Sequence, residues 1–179
     1  HDWPSTGTPG PNYEWRRKAV RWFGHWLRGE DTGIMAEPRV MFFLRDGYPA
    51  SHAKSAVPGE WRCGPWPLAG MQTRRLHPGQ DHDLAAAAPK GREYQLEYWP
   101  GVGLGIHTWW GELSDDMASD DAGSLVFDTE PLDKPVEIIG FPKVRLRAAA
   151  DAPLYQFTVR LEDVFPDGSV SLVSGALIN

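Results

Sequence analysis

The fold is decided by residues 156–178, which read QFTVRLEDVFPDGSVSLVSGALI. Apolar and polar residues alternate in the first half, so we expect a strand with one buried face and one face in water. The apolar side holds Phe157, Val159 and Leu161, and the side expected in water holds Thr158, Arg160 and Glu162. The turn Pro166-Asp167-Gly168 then reverses the chain into residues 169–178, so the stretch predicts a β-hairpin.

Upstream of this hairpin the chain is made of short apolar or alternating runs separated by Pro, Gly and Asp. The runs are 39–44, 72–76, 94–98, 124–127, 136–139 and 143–149. Many short strands with no helix among them are typical of a β-sandwich or a barrel. The sequence therefore predicts a mainly β fold for everything after Gly33.

The N-terminal part of the chain has a different pattern. Residues 1–12 contain three prolines and two glycines, which favours an irregular loop. Between Tyr13 and Arg28 apolar residues recur every three or four positions, with basic residues mostly elsewhere, and this spacing predicts an amphipathic helix. Gly29 is suited to end it, because glycine adopts the left-handed conformation without steric cost.

Composition excludes several classes of protein. The 179 residues carry 18 Lys and Arg against 24 Asp and Glu, for a net charge of -6, which opposes binding to nucleic acid. No window approaches the ~20 apolar residues of a membrane helix, so we expect a soluble protein, with the cytoplasm favoured as its compartment. The single cysteine, Cys63, cannot form an internal disulfide, and we expect it to be buried rather than reactive.

Few residues suggest chemistry directly. The nucleophile elbow Gly-x-Ser-x-Gly of serine hydrolases is absent from these residues. The run His77 to Asp83 holds two imidazoles and two carboxylates that could bind zinc or calcium, although solvated loops of this composition are commoner. The acidic stretch Glu112 to Asp121 allows the same two interpretations. We therefore predict no metal and no cofactor.

Nine tryptophans are many for this length, and five lie in the β region: Trp61, Trp66, Trp99, Trp109 and Trp110. Exposed indoles on a β-sandwich would bind sugars by stacking. Indoles also fill cores and domain interfaces, where their large area is buried. A carbohydrate-binding or protein-binding module therefore stays open as the alternative function.

Several strings, in their order along the chain, resemble the CocE/NonD hydrolases, a group with cocaine esterases and X-Pro dipeptidyl peptidases. The strings are HDWP (1–4), RWFGHWLRG (21–29), GSLVF (123–127), TEPL (129–132), VEIIG (136–140) and RLEDVFPDG (160–168). The resemblance implies that residues 1–33 end an α/β-hydrolase catalytic domain. It implies that residues 34–179 form much of the jelly-roll β-sandwich domain that follows it.

The same resemblance implies a role for His1. In such enzymes the catalytic histidine lies in a loop just before the last helix, so His1 is the candidate general base of a Ser-His-Asp triad. The serine and aspartate would lie upstream, in a catalytic domain outside this chain, and we expect the chain alone to be inactive. The implied substrate is a small ester or amide.

We expect the chain to be truncated at both ends. Missing final strands would leave an exposed apolar edge at Leu172 to Ile178, which could pair with another chain in a homo-oligomer.

Overall fold

The protein is β-rich. A computed structural model describes residues 13–50, 58–88, 93–102 and 116–178. Within these ranges, two α-helices and six strands occur. They are α1 (Trp15–Arg28), β1 (Val40–Arg45), β2 (Gly59–Gly64), β3 (His77–Pro78), β4 (Leu84–Ala85), α2 (Ala118–Asp121), β5 (Phe157–Val164) and β6 (Val170–Ile178), and a 3₁₀ turn spans Ile34–Ala36.

The chain divides into two compact units. The first takes the described residues of His1–Tyr48 and Ala53–Gln72, and so contains α1, β1 and β2. The second takes those of Pro49–His52 and Thr73–Asn179, and so contains the remaining elements.

The predicted amphipathic helix is confirmed as α1. It begins at Trp15 and ends at Arg28, and Gly29 follows in the left-handed conformation with φ of 68°. The amide of Gly29 donates to the carbonyl of His25 at 3.1 Å, which satisfies one of the carbonyls that a helix leaves without a partner at its C-terminus. After the turn, Arg21 donates to the Thr32 carbonyl and pairs with Glu37, which holds the following segment against the helix.

The first unit also contains a β-hairpin. β1 and β2 pair antiparallel, from Val40 opposite Gly64 to Arg45 opposite Gly59. The predicted strand 39–44 is thus confirmed within one residue, whereas β2 was not predicted, because its sequence GEWRCG lacks a clear alternation. Trp61 lies with its ring centroid 5.5 Å from that of Phe43, directly across the ladder.

The C-terminal hairpin is confirmed. β5 and β6 pair antiparallel from Phe157 opposite Ile178 to Val164 opposite Val170. Gly168 has φ of 86°, a value that favours glycine, and its amide donates to the Phe165 carbonyl across the turn. Among the described residues β6 forms a ladder only with β5, while the amide and carbonyl of its first residue, Val170, bond to Asp116 and Met117. The exposed apolar edge at Leu172 to Ile178 stays a prediction.

The five remaining strand predictions are wrong for the described residues, which form no ladder at 72–76, 94–98, 124–127, 136–139 or 143–149. The physical reason is that a helix satisfies its backbone groups internally, whereas a strand needs a neighbour in register. An alternating pattern therefore shows that a segment can be a strand but does not supply its partner. Within this region one isolated parallel bridge forms, between Asp83 and Asp128. The expectation of no second helix is also wrong, since α2 makes one helical turn.

The expectation of a wet polar face on β5 is wrong as well. The side chain of Arg160 is 7% exposed and that of Glu162 is 14% exposed. Residues 116–124 cover this face, and Met117, which is 1% exposed, is the most buried large side chain of the described residues. Neither helix of the described part is long and apolar enough to cross a bilayer.

Candidate functional site

The most developed polar site of the second unit is built around the guanidinium group of Arg160. Its Nη2 lies 2.6 Å from Oδ1 of Asp121 and 3.2 Å from Oγ of Ser124. Its Nη1 lies 3.4 Å from Oδ2 of Asp120, and its Nε lies 2.8 Å from Oε1 of Glu162. The contact to Glu162 is an ion pair without hydrogen-bond alignment. We call these five residues the Arg160 cluster.

Backbone contacts bring the acidic side of this cluster to the hairpin. Oδ1 of Asp116 accepts from the amide of Val170 at 2.9 Å and from the amide of Ala118 at 3.0 Å. The amide of Met117 donates to the carbonyl of Val170 at 3.0 Å. The Asp116 carboxylate thus holds the first residue of α2 and also attaches α2 to β6. This attachment places Asp120 and Asp121 within reach of Arg160 on β5.

Burial perturbs one carboxyl of the cluster strongly. Desolvation raises the pKa of Glu162 from 4.5 to about 7; the positive charge of Arg160 opposes this rise, and the charge and hydrogen bond of Asp121 add to it. Near neutral pH, Glu162 is therefore partly protonated and can share its proton with Asp121. These groups bind one another, and the hydroxyl of Ser124 donates to the backbone carbonyl of Asp120 rather than to a side-chain base.

The loop from His77 to Asp83 is held by its own contacts. His82 has φ of 60°, and its Nδ1 lies 2.9 Å from the carbonyl of Val126. Its ring stacks on Phe127 with centroids 5.4 Å apart. Over the described residues there is no group of three His, Cys, Asp or Glu side chains that could hold a metal. The structure thus gives these residues a role in attaching the loop to residues 126–128.

The acidic stretch from Glu112 to Asp121 falls partly outside the described residues, which resume at Asp116. Within the described part, Asp116 accepts two backbone hydrogen bonds, and Asp120 and Asp121 belong to the Arg160 cluster. Their carboxylates are thus engaged within the protein.

The predicted general base, His1, lies outside the described residues. Among the described histidines, Nδ1 of His25 lies 3.2 Å from the carbonyl of Glu30, and that of His82 contacts Val126. The hydroxyl of Ser124 donates to the carbonyl of Asp120 at 2.8 Å. No serine–histidine hydrogen bond occurs in the described parts of the chain, so they contain no assembled triad.

The expectation of a buried Cys63 is wrong, because its side chain is exposed. It lies opposite Met41 in the β1–β2 ladder, and Met41 is also exposed. Side chains of directly opposed residues share one face of a sheet, and in this two-stranded sheet that face is open. Of the five tryptophans of the β region, Trp61, Trp66 and Trp99 are substantially exposed. Trp109 and Trp110 lie outside the described residues.

The α1 helix carries an exposed apolar face. Val20 is 64% exposed, Phe23 56% and Leu27 77%. A shallow cleft of about 350 Å³ runs along this face. Exposed large apolar side chains in one patch mark surfaces that contact another protein, a membrane or a ligand.

Sequence reasoning missed the Arg160 cluster. One signal was present, since Arg160 and Glu162 are two residues apart on a strand and so share a face as an opposite-charge pair. The other half, Asp120 and Asp121, lies about forty residues away in a segment that looks like a solvated acidic loop. Only the docking of 116–124 on the hairpin joins the two halves.

Comparison with known proteins gives a family. Residues 32–179 match the model of the X-Pro dipeptidyl-peptidase C-terminal non-catalytic domain. Two proteins named "Putative serine esterase", from Mycobacterium bovis and Mycobacterium tuberculosis, are each 27% identical to this chain over 96% of its length. The chain spans 27% of the length of each of these relatives. No solved structure matches the chain.

Proposed function

The chain belongs to the family of the X-Pro dipeptidyl-peptidase C-terminal non-catalytic domain, and on this premise we propose that it is part of a serine hydrolase that cleaves carboxylic esters or amides. Membership confirms the resemblance to the CocE/NonD hydrolases. The observation that carries the proposal is the match over 96% of the chain to relatives named as serine esterases. The substrate class and the mechanism are inferences from that likeness.

We assign residues 1–33 to the end of the catalytic domain and residues 34–179 to a jelly-roll β-domain. The family match begins at residue 32, after α1 has ended at Arg28, which supports a boundary there. The hairpins β1–β2 and β5–β6 supply antiparallel strands of the kind that a jelly roll contains.

The exposed face of α1 supports the same division. A helix with Phe23 and Leu27 more than half exposed gains little from burial within its own unit. The relatives contain several hundred further residues, and we propose that their catalytic portion covers this face. The cleft along the helix would then receive apolar side chains of that portion.

This assignment predicts that one substitution acts differently in two contexts. Leu27→Asp should change the free energy of unfolding of this chain by less than about 0.5 kcal/mol, because the side chain is 77% exposed here. In the complete protein the same substitution buries a charge and should cost about 2–4 kcal/mol. Arg17→Asp, on the charged side of α1, is the control and should have a small effect in both. Equal effects of Leu27→Asp in the two contexts would remove this support.

For catalysis we propose His1 as the general base. It takes the proton from a serine hydroxyl of the catalytic domain as the oxygen attacks the substrate carbonyl, and returns the proton to the leaving alcohol or amine. An aspartate of the same domain sets its tautomer. Water, activated by the same imidazole, then hydrolyses the acyl-enzyme.

The test uses the complete protein that contains these residues. A fluorophosphonate should add to one serine, seen as a single adduct in the intact mass, and p-nitrophenyl esters should be hydrolysed. His1→Gln should lower kcat/KM by about 10⁴-fold or more while the protein stays folded. His25→Gln is the matched control, since this imidazole lies in α1 and contacts a backbone carbonyl. Parallel assays with an X-Pro p-nitroanilide separate ester from peptide cleavage. Activity that survives His1→Gln refutes the assignment of the base.

A second candidate is a non-catalytic module that binds carbohydrate or a protein partner. The exposure of Trp61, Trp66 and Trp99, from 41% to 63%, favours it, because an open indole face can stack on a sugar ring. Retention of soluble glycans by the chain, lost in Trp99→Ala and kept in a buried-residue control such as Met117→Leu, supports this candidate. It predicts no fluorophosphonate adduct on the complete protein.

A further inference from the structure

The sequence contains two Asp-Gly steps, Asp46-Gly47 directly after β1 and Asp167-Gly168 in the turn between β5 and β6. An aspartate followed by glycine is prone to isomerise, because glycine has no side chain to hinder attack by its own backbone nitrogen. The same two residues thus stand in two different surroundings, and the structure decides how the two steps differ in reactivity.

The reaction begins when the amide nitrogen of the glycine attacks the side-chain carboxyl carbon of the aspartate. A carbon–nitrogen bond forms, and the hydroxyl of the carboxyl group leaves as water with the amide proton. Water then opens the five-membered succinimide at one of its two carbonyls. One opening restores aspartate, and the other gives isoaspartate, in which the main chain runs through the side chain. The reaction needs a free glycine amide and a protonated carboxyl, because the oxygen of an ionised carboxylate is a poor leaving group.

At Asp167-Gly168 both reacting groups are engaged. The amide of Gly168 donates to the carbonyl of Phe165 at 2.9 Å. Oδ1 of Asp167 accepts from the amide of Ser169 at 3.0 Å and from its hydroxyl at 2.7 Å. The hydrogen bonds from Ser169 favour the ionised carboxylate and lower the pKa of Asp167. The turn therefore holds the nitrogen and the carboxyl group in unreactive states.

At Asp46-Gly47 these restraints are missing. The amide of Asp46 donates to the carbonyl of Pro58 at 2.9 Å, beyond the last pair of the β1–β2 ladder. Neither the carboxylate of Asp46 nor the amide of Gly47 makes a hydrogen bond or an ion pair with the described residues. Both residues are exposed, so water reaches the carboxyl group and the succinimide.

We propose that Asp46 is a site of spontaneous isomerisation in this protein, and that the β5–β6 turn protects Asp167 from the same reaction. Water is the only co-reactant. The additional main-chain carbon enters between Asp46 and Gly47, after the amide that bonds to Pro58, so the β1–β2 ladder is kept and the chain that follows it is displaced. This proposal goes beyond the proposed function and does not depend on it.

The experiment is a long incubation of the full chain at neutral pH and physiological temperature, followed by peptide mapping with fragment ions that distinguish isoaspartate from aspartate. Isoaspartate should accumulate at Asp46 roughly tenfold faster than at Asp167, the factor that corresponds to one intramolecular hydrogen bond. The same incubation in urea is the control. Unfolding removes the contacts of the turn, so the rates at the two steps should become similar.

Two substitutions test the contacts separately. Ser169→Ala removes the hydroxyl that bonds to Asp167, and it should raise the rate at Asp167 while the rate at Asp46 stays unchanged. Gly47→Ala places a methyl group beside the attacking nitrogen, and it should slow the reaction at Asp46 alone. In each variant the unaltered Asp-Gly step is the internal control.

Equal rates at the two steps of the native chain overturn the proposal, and so does an absence of isoaspartate at Asp46. A difference that persists unchanged in urea also overturns it, because the neighbouring residues alone would then cause the difference. An unchanged rate at Asp167 in Ser169→Ala refutes the protecting role of that hydroxyl. If Ser169→Ala fails to fold, the comparison of the native and the unfolded unchanged chain decides.

Discussion

Replacement of Met117 by alanine tests whether the second unit depends on the burial of this one side chain. Met117 is 1% exposed and anchors residues 116–124 against the hairpin. Transfer of a buried methionine side chain from water is worth about 1.5–3 kcal/mol, and the cavity left behind adds to the loss. We expect Met117→Ala to lower the free energy of unfolding by about 2–4 kcal/mol.

Urea denaturation followed by circular dichroism measures this change, with the midpoint and slope fitted separately. Met35→Ala is the matched control, because the same side chain there is 56% exposed, and we expect a loss below about 1 kcal/mol. If the two variants lose the same free energy, Met117 is not the anchor of the segment. A lower slope in Met117→Ala would indicate that 116–124 has already detached in the native state.

Three further predictions follow from single positions. The stability of the chain should fall as pH rises from about 5 to 8, because folded Glu162, with a pKa of about 7, retains a proton that the unfolded chain releases near 4.5. This difference in pKa corresponds to about 3 kcal/mol of stability, which solvent contact reduces to about 1–2 kcal/mol. Denaturation of Glu162→Gln at the same pH values should show a weaker dependence of stability on pH. Gly168→Ala should lower the free energy of unfolding, measured by thermal denaturation, by about 1–2 kcal/mol, because φ at Gly168 is 86° and alanine is strained there. No neighbouring atom obstructs an added Cβ, so the loss comes from the backbone alone. A smaller loss for Gly168→Ala than for Gly168→Asn would contradict this argument, because asparagine tolerates the left-handed conformation better. Cys63 should react with a thiol reagent in the native chain as fast as after denaturation, and protection from labelling would show that its face of the sheet is covered.

Local sequence patterns predicted the elements whose backbone hydrogen bonds close within the element or with a strand adjacent in sequence. α1 follows from its three-to-four spacing and from Gly29, because a helix closes its hydrogen bonds within itself. The β5–β6 hairpin follows from the turn at Gly168, which brings two alternating segments together. The segments 94–98 and 136–139 have comparable patterns but form no ladder with the described residues.

The candidate sites, like the elements, depend on contacts that local sequence patterns do not show. His1 is a prediction carried by resemblance to a family, and no described contact bears on it. The loop from His77 to Asp83 is rich in side chains that could act as ligands, yet the imidazole of His82 contacts the carbonyl of Val126, forty-four residues away. Contacts of that sequence separation have no local pattern.

The sequence by itself determined the β-rich class, α1 and its end, the C-terminal hairpin and membership in the family, because these depend on residue order over short spans. Only the tertiary structure decided that Arg160 and Glu162 are covered, that they meet Asp120 and Asp121, and that Cys63 is exposed. Burial is a property of what packs over a side chain, and the covering residues lie far away along the chain. The raised pKa of Glu162, and the fall in stability with rising pH that we expect from it, follow from that burial.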